Sequence, residues 1–189
     1  WGQEVKKLSE PGPARERELL ELLAHKPGAL IIAGVDFGWV AAVAEDALKF
    51  DTSREIAAYL DQEGVKYAVK TDRENYDLFT LTYAPSSSKE LDKIAIQVYA
   101  YEDSAVVIGA DLLQPDTSNL LKLYQNLESM NDSVSFVRFM YDTDIEAIYP
   151  QVDIPYAEDA AFGNMVERYI YITALVVDQN YDGMTALFQ

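Results

Sequence analysis

The chain has 189 residues, the size of one domain with an appendage, and its 15 Lys+Arg against 32 Asp+Glu leave a formal net charge of −17. At 49% hydrophobic and 25% charged residues it has a globular balance and is too apolar for a disordered acidic chain. One His and no Cys exclude cysteine nucleophiles, thiolate metal sites and disulfides, while the lack of any Lys/Arg cluster argues against nucleic acid or anionic lipid as a direct partner.

The first residue is Trp1 rather than Met, which reads as a cut chain, either by processing or by choice of the expressed segment. A cytoplasmic protein is expected, and that start leaves an extracytoplasmic one open. Pro13 to His25 carries Pro near a helix start and a leucine stripe at Leu19, Leu22 and Leu23. His25, the only imidazole, falls at the end of that helix, where a protonated ring suits the helix dipole. The apolar stretch Gly28 to Ala44 contains Asp36 and three glycines, so it reads as a buried segment rather than a membrane span. Residues 1–50 are thus expected to be an N-terminal helical and apolar extension packed on a main domain of residues 51–189.

The main domain opens with a helix from Thr52 to Glu63. Thr52 and Glu55 have capping-box spacing, Ile56, Ala57 and Leu60 form its apolar stripe, and Gly64 supplies a stop. Four short strands in a meander follow, built on Val65-Tyr67-Val69, Leu78 to Tyr83, Ile94-Ile96-Val98 and Ala105 to Ala110. Their connections hold turn chemistry, including Pro85 to Ser88 and Glu102-Asp103-Ser104. Gln114 to Thr117 then caps a helix whose stripe is Leu120, Leu121, Tyr124 and Leu127. Two strands, Ser133 to Tyr141 and Ile145 to Val152, join through Asp142-Thr143-Asp144, and Pro150 and Pro155 predict that the second ends early or lies at an edge. The last element is a helix from Ala157 to Val177. The fold class is α+β: an antiparallel sheet of about five to six strands packed with helices, in the order helix, strands, helix, two strands, long helix.

From Asp51 onward the chain resembles the YbjN family of bacterial sensory transduction regulators. The residues that carry this are the helix ending at Glu63-Gly64, the strand with "VRFMYDTD", and the final helix running into "VVDQNYDGM". The resemblance implies a type III secretion chaperone-like fold and an interaction protein that docks a partner segment, often as a homodimer. It transfers no functional residues.

Residue patterns offer little catalytic chemistry. Ser86 to Ser88 lack a Gly-x-Ser-x-Gly elbow, the acidic pairs Glu102-Asp103 and Glu158-Asp159 read as solvated turns, and no phosphate loop or dinucleotide fingerprint occurs. No cofactor is expected. Asp178, Asn180, Asp182 and Gly183 match the D-x-N-x-D-G opening of a calcium loop, but the twelfth position is Gln189 rather than Glu. Those three side chains are the metal candidates, and a calcium-responsive or carboxylate-dependent protein is the competing function. The leading expectation is a non-enzymatic, chaperone-like or regulatory protein-binding module. Among the 13 tyrosines, Tyr99, Tyr101, Tyr149 and Tyr156 are the candidate contacts for an unidentified protein or peptide. The excess of acids, 24 against 9 bases over residues 51–189, would draw a basic peptide or protein.

Overall fold

Helix α1 (Asp51–Gln62) buries Ile56, Ala57 and Leu60, as its apolar stripe predicts. It stops at Gly64, whose φ of 66° is the left-handed conformation that glycine adopts without strain. There the Val65 N–H donates to the Leu60 carbonyl at 2.8 Å and the Gly64 N–H to Asp61 at 3.1 Å, closing the last turn in a Schellman motif. The expected capping box is not formed. Phe50 is the N-cap and makes no side-chain cap bond. Thr52 is fully buried inside the first turn, and its hydroxyl donates to the Tyr101 carbonyl, a tertiary bond that outcompetes the local one. These elements belong to a computed structural model that describes residues 48–110, 113–157 and 161–188. The expected N-terminal helix, His25, the stretch Gly28 to Ala44 and Glu158-Asp159 lie outside the described residues.

Six strands follow the expected order: β1 (Ala68–Lys70), β2 (Asp77–Tyr83), β3 (Ile94–Ala100), β4 (Ser104–Gly109), β5 (Arg138–Asp142) and β6 (Ala147–Pro155). They form one antiparallel sheet in the order β1-β2-β3-β4-β6-β5. Helix α2 (Leu120–Ser133) links β4 to β5, and helix α3 (Phe162–Phe188) follows β6. The class and element order are those expected, an α+β fold.

Alternation decides which face is inside. Phe79, Leu81, Ile96, Val98, Ala105, Val107, Val152 and Ile154 point to one face and are buried. All three helices pack on that face: α3 crosses β3, β4 and β6, α1 lies on α3, and α2 sits over β5. Burying each of the larger side chains contributes roughly 1.5–3 kcal/mol. A second cluster under α2 gathers Leu123, Leu127, Met130, Phe139, Ile148, Met184 and Phe188.

The α2 region departs from expectation in two ways. The N-cap is Asn119, whose side chain accepts from the Lys122 N–H at 3.1 Å, because Asp116 is occupied with Ser118. The buried stripe is Leu123, Leu127 and Met130, whereas Leu120, Leu121 and Tyr124 are 51%, 71% and 49% exposed. Both stripes are apolar at helical spacing, and docking against Phe139 and Ile148 selects the second.

Strand β6 runs through Pro150 to Pro155 and lies between β4 and β5 rather than at an edge. Pro150 is opposite Phe139, and Phe139 turns its N–H and C=O away from β6 towards Asn131 of α2. The side of Pro150 lacking an N–H therefore faces β4, where pairing ends at Ile108 opposite Gln151. Gly109 makes room for the ring, since a Cβ there would stand 2.5 Å from the Pro150 Cγ.

Asn131 thereby covers the outer edge of β5, accepting from the Phe139 N–H at 2.7 Å and donating to its carbonyl at 3.1 Å. Asn131→Ala leaves two backbone groups of a buried residue without protein partners and opens a strand edge. The expected outcome in denaturant titration is a loss of about 1–3 kcal/mol, with faster aggregation on warming. An Asn131→Ala chain as stable as the parent would show that the bidentate bond contributes nothing.

Candidate functional site

Opposite the helices, the second face of the sheet carries no described element. Reading across it in register, Leu78 of β2 lies beside Tyr99 of β3, Tyr99 beside Val106 of β4, and Val106 beside Asp153 of β6. The next row holds Thr80, Gln97, Ile108, Gln151 and Arg138. Apart from Asp153 and Arg138, which are exposed, these side chains are half-buried.

A tyrosine cluster sits on this face. Tyr76, just before β2, stacks edge-on against both Tyr99 and Tyr101, with ring centroids 5.1 Å and 5.7 Å away. Tyr149 of β6, opposite Met140 of β5, belongs to the same face. The Tyr99 hydroxyl donates to Gln97 Oε1 at 2.9 Å, which fixes its ring. Burial pushes the Tyr99 hydroxyl up, Tyr76, Tyr101 and Tyr149 add to this, and Arg73 opposes it. Tyr101 and Tyr149 are likewise raised by burial first, and Asp153 adds to both. Tyr83 is pushed up to about 12 by burial and by Glu167. Tyr83 alternates onto the helix side with Phe79 and Leu81, and none of the three tyrosines on the open face is poised as a general base at neutral pH, so their rings and O–H donors are what that face offers.

Three of the four tyrosines singled out from sequence, Tyr99, Tyr101 and Tyr149, are thus brought to one face. Tyr156 is not among them. Its ring packs at 90° on Phe162, 5.0 Å between centroids, and its hydroxyl donates to Glu55 Oε1 at 2.7 Å, so it ties α1 to the start of α3. Tyr76 went unnoticed because it follows the turn Asp72 to Asn75. The signal was the alternation itself, which carries Leu78 and Thr80 back to position 76.

The calcium candidates are placed differently from a calcium loop. Helix α3 extends to Phe188 rather than stopping at Val177, so Asp178, Asn180 and Asp182 lie inside it. Asp178 and Asp182, one turn apart, face the loop between β2 and β3. The Asp178 carboxylate accepts from the N–H groups of Ser86, Ser87 and Ser88 at 3.0–3.1 Å and from the Ser86 hydroxyl at 2.6 Å. Asp182 accepts from the Ser88 hydroxyl and the Lys89 N–H. Asn180 sits half a turn away and donates to the Val176 carbonyl at 2.8 Å. The helix separates what a loop would converge, and the two carboxylates are engaged in clamping the serine turn. The Ser86 hydrogen bond, followed by the Ser87 backbone, holds the Asp178 carboxyl well below the usual carboxylate range. Among the described residues no group of three or more His, Asp or Glu is placed to hold a metal ion.

The other acidic turns behave as turns. Asp142 Oδ1 accepts from the Asp144 N–H at 2.8 Å in the β5–β6 hairpin, and Asp103 accepts from the Ser104 hydroxyl at 3.0 Å after β3. No described helix is long and apolar enough to cross a membrane. No family model matches this chain, and no curated protein matches it.

Proposed function

We propose that the domain is a non-enzymatic protein-binding module, a chaperone-like or regulatory adaptor that docks a segment of a partner protein on the face of its sheet that no described helix covers. The observation that carries this reading is the gathering of Tyr76, Tyr99, Tyr101 and Tyr149 there. Tyrosine brings a large apolar area at low entropic cost together with a hydroxyl donor, which is why it is enriched in recognition surfaces. Membership of the YbjN family, with a role in bacterial signalling, is part of the same proposal and rests on the residues quoted from the sequence.

A peptide-display selection against the full chain tests it. Selected peptides are expected to bind the parent and to lose about tenfold or more against a Tyr99→Ala, Tyr101→Ala chain, as when aromatic anchors are truncated. Peptides that bind both chains equally would defeat the reading.

We also propose a homodimer, on a different observation. Leu120, Leu121 and Tyr124 form an exposed apolar patch on α2 that no described element covers. Light scattering is expected to give twice the chain mass for the parent and the chain mass for Leu121→Glu. A parent that scatters as one chain at high micromolar concentration rejects the dimer.

A further inference from the structure

We propose that the tyrosine face takes a cationic side chain, the guanidinium of arginine above all, presented by an extended segment of a basic partner protein. This rests on the docking reading and names the chemistry of the partner. The rings of Tyr76, Tyr99 and Tyr101 meet edge to face, 5.1 Å and 5.7 Å apart and tilted by about 60°, so they form an angled wall rather than a flat stack. Such a wall presents the electron-rich faces of its rings at an angle to one another, the arrangement that attracts a cation held within about 6 Å. Arginine suits it better than lysine, because the flat guanidinium stacks on a ring while its edge donates to a carboxylate.

Charge around the wall is asymmetric. On the β1 side stand Lys70, in register with Leu78, and Arg73, which pairs with Asp72 at 3.9 Å. Towards β4 and β6 the wall meets Asp153, in register with Val106 and accepting from Gln151 Nε2 at 3.0 Å, and the exposed Glu102 and Asp103 that follow Tyr101, three carboxylates against Arg138 of β5 opposite Gln151. A bound guanidinium therefore sits on the Asp153 side, with Val106 as the floor between ring and carboxylate. The net charge of −17 supplies the long-range attraction that brings a basic segment to this surface, and the wall supplies its selectivity. An extended segment with arginine at alternate positions matches the two-residue period of the sheet.

The test uses the full chain and three labelled peptides of one design, with arginine, lysine or neutral citrulline at alternate positions, at physiological ionic strength where remote charges are screened. The arginine peptide is expected to bind at least about tenfold tighter than the citrulline peptide and more tightly than the lysine one. Tyr99→Ala with Tyr101→Ala is expected to cost about tenfold, Tyr99→Phe with Tyr101→Phe to stay within about threefold, and Asp153→Asn to cost about threefold. Should the alanine chain fail to fold, the phenylalanine pair and the exposed Asp153→Asn carry the comparison. Arginine binding unchanged by the tyrosine and Asp153 substitutions overturns the proposal, since only overall charge would then be at work. The same holds if the tyrosine substitutions change the mass in light scattering while no peptide binds, which makes the face a contact with a second copy. Display-selected peptides that need the tyrosines but carry no cation overturn the arginine assignment and leave the docking reading standing. Selected peptides that ignore the tyrosines remove both.

Discussion

Asp178→Asn is expected to lower the melting temperature at neutral pH by about 5 °C or more, because three backbone N–H groups lose a charged acceptor and the Ser86 hydroxyl loses its acceptor oxygen. The carboxylate is buried at 5% exposure and takes the three N–H groups of the turn Ser86 to Ser88, while Asp182, one turn on, holds the Ser88 hydroxyl and the Lys89 N–H. An asparagine offers one acceptor oxygen and turns an NH2 group towards donors it cannot accept from. Ser86→Ala, which deletes a single donor, is expected to cost much less. The pH dependence follows from the same bonds. A carboxyl held below its ordinary value in the folded chain contributes stability that is fully present above the unfolded value of about 4 and is lost as pH falls through the lower folded one. The gap between parent and Asp178→Asn melting temperatures is therefore expected to be widest above about pH 4 and to narrow progressively in more acid solution. Thermal melts from pH 7 to pH 2.5 measure it, and a gap that stays constant or widens on acidification would refute the clamp.

The second large effect concerns two glycines of one helix with opposite signs. Gly163, in the first turn of α3, faces α1 so closely that a Cβ would stand 2.4 Å from the Glu55 carbonyl oxygen and 2.6 Å from the Tyr59 Cβ. Backbone cannot yield as a flexible side chain does, so Gly163→Ala must push the two helices apart or break the first turn. A loss of about 2–3 kcal/mol is expected, at the upper end of overpacking costs. Gly183 has nothing within 4 Å of its Cβ position and is exposed. Gly183→Ala should stabilise by up to about 1 kcal/mol through helix propensity alone. Denaturant titration of both chains separates the account from a propensity argument, which gives both substitutions the same stabilising sign. A stabilised Gly163→Ala chain would mean that α1 and α3 do not approach as described.

Much of this fold was legible in the sequence, because period-two and helical alternation survive wherever one face is buried. Strands β2, β3 and β4 and the stripe of α1 follow directly from where Val, Ile and Leu recur. The misreadings share one cause, tertiary partners that local pattern cannot see. Thr52 leaves its cap for the Tyr101 carbonyl. Pro150 is accommodated in an interior strand because the side lacking an N–H faces β4, where pairing has ended at Ile108, and Gly109 leaves room for its ring. The segment Asp178 to Gly183 reads as a loop until the serine turn, roughly ninety residues earlier, supplies donors for its carboxylates. Helix α2 carries two apolar stripes, and only the contact with Phe139 decides which one is core. At the candidate site, residue type and parity bring Tyr99, Tyr101 and Tyr149 to one face, where Tyr76 joins them across a turn, while Tyr156 lies elsewhere because its partner Glu55 is on another element.

The most direct test of the docking account is residue-resolved chemical-shift mapping of the full chain, titrated with a display-selected peptide. Shifts concentrated at Tyr76, Leu78, Tyr99, Tyr101, Val106 and Tyr149, and abolished by Tyr99→Ala with Tyr101→Ala, are the predicted result. Shifts confined to α2 or to the outer side of α3, with the tyrosine face silent, would contradict it.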